Sequence, residues 1–110
     1  KRYCEALCSV DDSIGRVLQK LKDMGIYDET LVIYMGDNGF ALGEHGFYDK
    51  RDAFEVSIRV PMLAWAPGLV EPGLKVSQMV QNIDVAPTLL DILGITPPEA
   101  MTRKSLLRDA

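Results

Sequence analysis

Asp37, Asn38, His45 and Lys50 bring carboxylate, amide, imidazole and ammonium groups into one short glycine-rich stretch. Carboxylate and amide oxygens are the ligands that hard divalent cations take, and a neighbouring glycine lets the backbone come close. An ammonium group held beside such a cation would stabilise negative charge that develops during a reaction. One interpretation of residues 36–50 is therefore a cation site with a cationic group beside it.

Each of these residues also has an interpretation without chemistry. The pair Asn38-Gly39 between apolar stretches is the strongest short signal for a hairpin turn. His45, the single histidine, is equally consistent with a surface loop, and Lys50 and Arg51 with solvated charges. The stretch is not an EF-hand loop, because the alternating Asp positions and the closing Glu are absent. The residue types alone leave these alternatives open.

Two apolar runs flank the glycine-rich stretch and predict β-strands at residues 31–35 and 61–66. The first run has the length and composition of a strand buried on both faces. The second begins with Pro61, which a strand tolerates at its first residue. Because α/β proteins build sites in the crevice outside the carboxyl ends of strands, residues 36–50 are predicted to form an active-site loop.

Two amphipathic helices are predicted at residues 5–24 and 84–93. Apolar residues recur in the first at spacings of three and four, and Gly25 follows as a helix-ending glycine. In the second, Asp84 suits the N-cap and Gly94 stands just past the end. Helices, tight links and buried strands predict an α/β fold, of which these elements make half of a layered domain.

The remaining segments are less regular. Residues 51–59 have no clean period and fit either a short helix or an extended segment, in which Glu55 and Arg59 would form a weak local ion pair. Residues 76–80 are predicted as another short strand.

Composition narrows the function classes. With 110 residues, 47% of them hydrophobic, and a net charge of −4, the chain is predicted to be at most one small soluble domain. It has no run of Lys and Arg that would bind nucleic acid and no apolar run long enough to span a bilayer.

Cys4 and Cys8 lie four apart on a predicted helix, where they are poorly oriented for a disulfide and have no further zinc ligands near them in the sequence. They are predicted to be small buried hydrophobes.

A set of motifs occurs in a fixed order along nearly the whole chain. It consists of Val10-Asp11-Asp12-Ser13-Ile14-Gly15-Arg16-Val17-Leu18, Gly36-Asp37-Asn38-Gly39-Phe-Ala-Leu-Gly43-Glu44-His45-Gly46, Asp49-Lys50-Arg51, Phe54-Glu55-x-Ser57-Ile58-Arg59-Val60-Pro61, Ile83-Asp84-x-Ala86-Pro87-Thr88-Leu89-Leu90 and Met101-x-x-x-Ser105-Leu106-Leu107. This ordered set resembles the sulfatase family, whose fold is alkaline-phosphatase-like.

The resemblance implies hydrolysis of sulfate esters, with a sulfated small molecule or glycan as substrate. In that family the Asp and Asn of the Asp-Asn-Gly motif ligate a divalent cation, usually calcium, which implies this role for Asp37 and Asn38. The Lys before the Phe-Glu-x-Ser segment contacts the sulfate, which implies a catalytic and substrate-binding role for Lys50. His45 is carried over as a substrate contact only.

The chain also departs from the family pattern. The family nucleophile is a Cys or Ser in Cys/Ser-x-Pro/Ala-x-Arg that is converted to formylglycine, and neither Cys4, Cys8 nor any serine here has that context. The acidic pair that supplies further metal ligands has no counterpart, since Asp11 and Asp12 belong to the helix motif. The residues between Met101 and Ser105 lack a glycine that relatives commonly carry. The chain is therefore expected to hold at most half of an active site.

These departures predict that residues 1–110 are a fragment of a single sulfatase catalytic domain, part of a longer parent enzyme. Alone, the chain is expected to be inactive and to self-associate through its uncovered apolar surfaces. No targeting segment marks its localisation, and a periplasmic or secreted parent stays open. The alternatives are a phosphodiesterase or phosphonate hydrolase of the same superfamily, in which Asp-His is commoner than Asp37-Asn38, and a free-standing non-catalytic module.

Overall fold

The computed structural model describes residues 2–101 and 105–106. The chain divides into two compact units, residues 1–72 and 73–110, each of which is described by itself. Among the described residues, the first contains two α-helices and a two-stranded sheet, and the second contains one α-helix. In the described part of the chain, no helix combines the length and hydropathy needed to cross a membrane. That residues 1–110 belong to one catalytic domain stays a prediction.

Helix α1 runs over Arg2–Asp23 and so begins before residue 5, where the periodicity placed its start. It ends as predicted, because Gly25 adopts a left-handed φ of 69°. The amide of Ile26 then donates to the carbonyl of Leu21 over 3.1 Å, which satisfies a carbonyl at the helix C-terminus.

The sheet consists of β1, Val32–Met35, and β2, Met62–Trp65, which pair antiparallel. Their register pairs the residues Val32 with Trp65, Ile33 with Ala64, Tyr34 with Leu63 and Met35 with Met62. Residues 36–61 connect the two strands, so Asn38-Gly39 does not form a two-residue hairpin turn and that alternative is wrong. The long connection instead leaves room for the predicted active-site loop.

The strands are less buried than the sequence predicted. Every residue of β1 and β2 is half-buried or exposed. A strand is buried on both faces only where other elements cover both of them. In the first unit, α1 and β1 line an open groove, so apolar side chains such as Val17 and Tyr34 stay accessible.

The prediction that Cys4 and Cys8 are buried is wrong, since both are free thiols at exposed positions of α1. In this helix only Ile14, Leu18 and Leu21 are half-buried, and no residue is fully buried. The helical period determines which residues share a face, whereas burial requires a second surface against that face.

An aromatic contact packs the connection between α1 and β1 against β2. The ring of Tyr27 stacks on Trp65 with 4.2 Å between centroids and 29° between planes. The ammonium of Lys22 lies 4.8 Å from the centre of the Tyr27 ring, a cation–π contact. These two contacts connect the last turn of α1, the segment that follows it and β2.

A short helix and a weak ion pair follow the predicted active-site loop. Helix α2 covers Glu55–Ile58, which decides between the two interpretations of residues 51–59. Arg59 Nη1 lies 3.7 Å from Glu55 Oε2, with both side chains mostly exposed. The predicted ion pair is therefore present and, being exposed, contributes little to stability.

The second unit is built on helix α3, Val85–Ile92, close to the predicted residues 84–93. Asp84 occupies the predicted N-cap position, but its side chain makes no cap hydrogen bond to α3 and instead accepts from the amide of Gln81 over 2.8 Å. Gly94 follows α3 with a φ of 68°. Residues 76–80 form no strand, which corrects the sequence prediction. An extended segment becomes a strand only by pairing with another strand, and the described strands pair only with each other.

One buried hydroxyl ties α3 to a later segment. Thr88 Oγ1 donates to the Asp84 carbonyl over 2.6 Å and accepts from the amide of Leu106 over 2.9 Å. The last sequence motif is described only in part, because residues 102–104 and Leu107 lie outside the described residues.

Candidate functional site

The Asp37–Gly39 turn directly follows β1 and is held by the segment that leads into β2. The amide of Gly36 donates to the Pro61 carbonyl over 3.3 Å, and the amide of Gly39 donates to the Ser57 carbonyl over 2.8 Å. Within the turn, the amide of Asn38 donates to Asp37 Oδ1 over 2.9 Å. These hydrogen bonds thus fix the position of the backbone from which the Asp37 and Asn38 side chains extend.

Glycine is required at position 39 because the backbone of α2 approaches it closely. A Cβ on Gly39 would lie 2.0 Å from the Val56 carbonyl oxygen and 3.1 Å from the Ser57 carbonyl carbon. Neither is the flexible end of a side chain that could move aside. The glycine of the Asp-Asn-Gly motif therefore permits the close packing of the turn on α2.

Asn38 and Lys50 meet although twelve positions separate them. Lys50 Nζ donates to Asn38 Oδ1 over 3.2 Å, and Asn38 Nδ2 donates to the Gly39 carbonyl over 2.7 Å. These two hydrogen bonds orient the amide so that its oxygen faces the ammonium group. Asp37, Asn38 and Lys50 are exposed, so solvent reaches the side chains of both segments.

The backbone before Lys50 is anchored, whereas Arg51 is not. The amide of Ala41 donates to the Asp49 carbonyl over 2.8 Å, and Ala41 is completely buried. The Lys50 amide donates to Asp49 Oδ1 over 2.7 Å. Arg51 Nη1 lies 3.4 Å from Asp49 Oδ2, but its side chain is 85% exposed. The Lys50 side chain therefore extends from an ordered backbone, whereas the Arg51 side chain lies at the exposed edge of the loop.

The Gly43–Gly46 turn lies between these two segments of the loop. Glu44 Oε2 accepts a hydrogen bond from the amide of Leu42 over 2.5 Å. Hydrogen bonds from the backbone amides of Glu44 itself and of Leu42, together with the nearby His45, lower the pKa of the Glu44 carboxyl group. The turn is thus closed around a carboxylate that its own backbone stabilises.

His45 has an unusual backbone conformation and a specific ring contact. Its φ is 56°, the one positive φ of a non-glycine residue among residues 2–101 and 105–106. Such a conformation costs about 1–3 kcal/mol, though histidine tolerates it better than most residues. The imidazole stacks on Phe54 with 4.1 Å between centroids and 14° between planes. An aromatic pair contributes about 0.5–1.5 kcal/mol beyond its burial, so the stack offsets much of the cost.

Sequence reasoning missed two features of this region. It did not single out Phe54 as the partner of His45, because no periodicity relates the two positions. It also missed Ser57, which is 3% exposed and whose hydroxyl has no hydrogen-bond partner among the described residues. The only available signal was their shared membership of the Phe-Glu-x-Ser motif.

The donor atoms fit a hard cation in type but not in number. Asp37 and Asn38 supply carboxylate and amide oxygens, which calcium prefers, whereas calcium takes six to eight oxygen ligands. No group of three or more His, Cys, Asp or Glu side chains in the described part of the chain could hold a metal ion. If a cation binds here, Asp37 and Asn38 would be part of its ligand set.

The chain's residues do not fit a formylglycine site. Cys4 and Cys8, the two cysteines, lie on exposed positions of α1 and lack the sequence context for conversion. No step of a reaction is therefore assigned to either thiol.

Comparison with known proteins identifies the family. The sulfatase family model matches residues 1–95. The chain belongs to the sulfatase family. It is 38% identical over 104 residues to the N-acetylglucosamine-6-O-sulfatase of Bacteroides thetaiotaomicron, covering 94% of this chain and 19% of that protein. It is 39% identical over 106 residues to human N-acetylgalactosamine-6-sulfatase, covering 88% of this chain and 20% of that protein. This sulfatase chain thus spans about a fifth of the length of such relatives.

Solved structures confirm the alkaline-phosphatase-like α/β fold class. The sulfatase chain matches a protein solved in complex with its substrate, D-glucosamine-2-N,6-O-disulfate, with a TM-score of 0.88 and 38% identity over 93% of this chain and 21% of the other. It also matches a phosphonate monoester hydrolase from Silicibacter pomeroyi with a TM-score of 0.81 and 38% identity, over 88% of this chain and 19% of the other. The resemblance to sulfatases inferred from the motifs is confirmed.

Proposed function

We propose that this chain supplies part of the active site of a sulfatase that hydrolyses sulfate esters with the help of a divalent cation, calcium being the usual ion of the family. Asp37 and Asn38 contribute ligands to the cation, and Lys50 contacts the sulfate. The observation that carries the proposal is the 3.2 Å hydrogen bond from Lys50 Nζ to Asn38 Oδ1. This contact supports a site in which the Lys50 ammonium and the cation bound by Asn38 act on the same anion.

Sulfate-ester cleavage explains why these groups belong together. As the ester bond breaks, negative charge grows on the sulfuryl oxygens and on the leaving alkoxide. A bound cation would neutralise part of that charge. The Lys50 ammonium donates hydrogen bonds to a sulfuryl oxygen, and its link to Asn38 keeps it in place before the substrate arrives. A charge donor oriented in advance needs no reorganisation during the reaction.

The proposed substrate is a sulfated sugar. The chain's relatives include proteins named as sulfatases of N-acetylglucosamine and N-acetylgalactosamine, and one similar structure contains a sulfated glucosamine. His45, in the same loop as Lys50, is proposed as a further contact to this substrate.

Lys50→Ala in the longer sulfatase polypeptide tests the proposal, with Arg51→Ala as the matched control. Loss of one oriented charge donor should lower kcat by about 100- to 1,000-fold. Arg51→Ala should have little effect, because its exposed ion pair with Asp49 contributes little. Steady-state hydrolysis of an aryl sulfate, with thermal unfolding as a check on folding, measures both. Equal losses at the two positions would contradict the role assigned to Lys50.

The similarity to a phosphonate monoester hydrolase makes that activity the second candidate. Sulfate and phosphonate esters both develop charge on oxygens around a tetrahedral centre, so the same cation and ammonium would serve either. Asn38 after Asp37 favours the sulfatase, because the phosphoryl-transferring relatives more often carry His there. Parallel assays of an aryl sulfate and an aryl phosphonate monoester on the longer polypeptide distinguish the two.

The 110-residue chain by itself is expected to be inactive and to self-associate. It lacks a convertible nucleophile, and positioning of the nucleophile is a large part of catalysis. Apolar side chains of α1 such as Leu7, Val10 and Val17 are 48%, 42% and 61% exposed, and uncovered apolar surface favours association. Aryl-sulfate turnover with calcium present, and light scattering of the purified chain, test this. A monomer that turns over substrate would contradict both expectations.

A further inference from the structure

Phe54 is joined both to the imidazole of His45 and to the backbone of α2. Its ring lies nearly parallel to the imidazole, 14° between planes and 4.1 Å between centroids. Its carbonyl accepts hydrogen bonds from the amides of Ser57 and Ile58 over 2.8 and 3.1 Å. Its amide donates to Asp52 Oδ1 over 3.0 Å. Phe54, on which the imidazole stacks, is therefore held by hydrogen bonds at both its amide and its carbonyl.

His45, in contrast, has a weak local attachment. Two backbone hydrogen bonds close its turn, from Gly46 to Gly43 over 3.1 Å and from Phe47 to Glu44 over 3.0 Å. The φ of 56° at His45 is one that glycine adopts more readily, so the backbone alone gives no reason for a histidine. The side chain is exposed, and without the Phe54 ring it would be free to rotate.

The other aromatic pairs of the loop do not substitute for this contact. Phe40 meets Tyr48 edge-on, with 5.4 Å between centroids. Phe47 meets Phe54 in a tilted arrangement at 5.8 Å. Only Phe54 presents a ring face to the imidazole among the ring contacts of the described residues.

We propose that Phe54 is a positioning residue of the site, whose ring holds the imidazole of His45 in one orientation and thereby transmits the rigidity of α2 to the Gly43–Gly46 turn. The effect of Phe54 on the reaction is exerted through His45, which rests on the proposed function of His45 as a substrate contact. The stack itself does not depend on that function.

The stack is tested by NMR of the longer sulfatase polypeptide with labelled histidine, in which the His45 signals are identified as those that His45→Gln removes. A ring face at this distance shields the carbon-bound imidazole protons, so their resonances should lie upfield of those of a free histidine. Phe54→Leu should abolish the upfield displacement, and Phe54→Tyr should keep it. Phe40→Leu is the matched control and should also keep it. Resonances at free-histidine positions in the unaltered chain, or equal changes in Phe54→Leu and Phe40→Leu, would overturn the proposal.

The transmission is tested in the longer sulfatase polypeptide by a double-mutant cycle. Phe54→Leu should lower kcat/KM by about 10- to 100-fold, because the contact of His45 with the substrate is misplaced. Phe54→Tyr, which keeps the aromatic ring, should lower kcat/KM much less. The double variant Phe54→Leu/His45→Ala should be no slower than His45→Ala alone, because residues that act through one another are not additive. Additive losses would overturn the positioning role. A normal rate for His45→Ala would instead contradict the substrate contact and leave the NMR result to judge the stack.

Discussion

The two turns of the proposed active-site loop, Asp37–Gly39 and Gly43–Gly46, are held in different ways. The Asp37–Gly39 turn is fixed from outside, by backbone hydrogen bonds to Pro61 and Ser57 and by the ammonium of Lys50. The Gly43–Gly46 turn is closed mainly by its own backbone, and one ring contact with Phe54 attaches its histidine to another element. A turn proposed to bind a cation is thus held by several contacts with other segments. A group proposed to touch the substrate is held by a single one.

The largest expected difference between the turns concerns cation affinity. In the longer sulfatase polypeptide, Asp37→Ala should weaken calcium binding by at least about 100-fold, the upper end of the loss seen when a group that only orients a ligand is removed. His45→Ala should leave calcium affinity unchanged. Calorimetric titration with calcium measures both. Equal losses would remove the distinction between a cation turn and a substrate turn.

A second prediction concerns the close approach at Gly39. Gly39→Ala should lower the free energy of unfolding by about 3 kcal/mol, at the upper end for overpacking, because the new Cβ collides with the Val56 carbonyl. Gly15→Ala is the matched control, since nothing lies within 4 Å of its added Cβ in α1. It should raise stability by about 0.5–1 kcal/mol.

Denaturant unfolding of both glycine variants of the longer sulfatase polypeptide, followed by circular dichroism, gives the two free energies. Opposite signs are the expected result. A Gly39→Ala variant as stable as the unaltered chain would show that the Asp37–Gly39 turn does not need its contact with α2.

The smallest expected effect concerns the buried hydroxyl of Ser57 beside the Asp37–Gly39 turn. Ser57→Ala should be neutral or raise the free energy of unfolding by up to about 1 kcal/mol, since the hydroxyl is buried without a hydrogen-bond partner among the described residues. Thr88→Val is the control, because that buried hydroxyl has two partners, and it should cost about 1–3 kcal/mol. Thermal unfolding measures both. A large loss in Ser57→Ala would mean that the hydroxyl has a partner in solution.

Much of the local structure could be predicted from the sequence. The apolar spacing and Gly25 located α1 and its end, and Asp84 and Gly94 located α3, because helix period and terminal residues are local properties. The ordered motifs identified the family because residue types and their spacing are properties of the sequence itself. The roles of Asp37, Asn38, His45 and Lys50 stay predictions that the proposed experiments test.

The sequence by itself located α1, α3, β1 and β2, indicated which residues share a face, and identified the sulfatase family to which the chain belongs. Only the tertiary structure decided that β1 and β2 pair antiparallel, that Lys50 Nζ reaches Asn38, that the rings of Phe54 and His45 stack and that Cys4 and Cys8 are exposed. The physical reason is one of range. Backbone preference and side-chain period act between neighbours along the chain, whereas pairing, burial and ring contacts depend on which distant segment arrives at each surface.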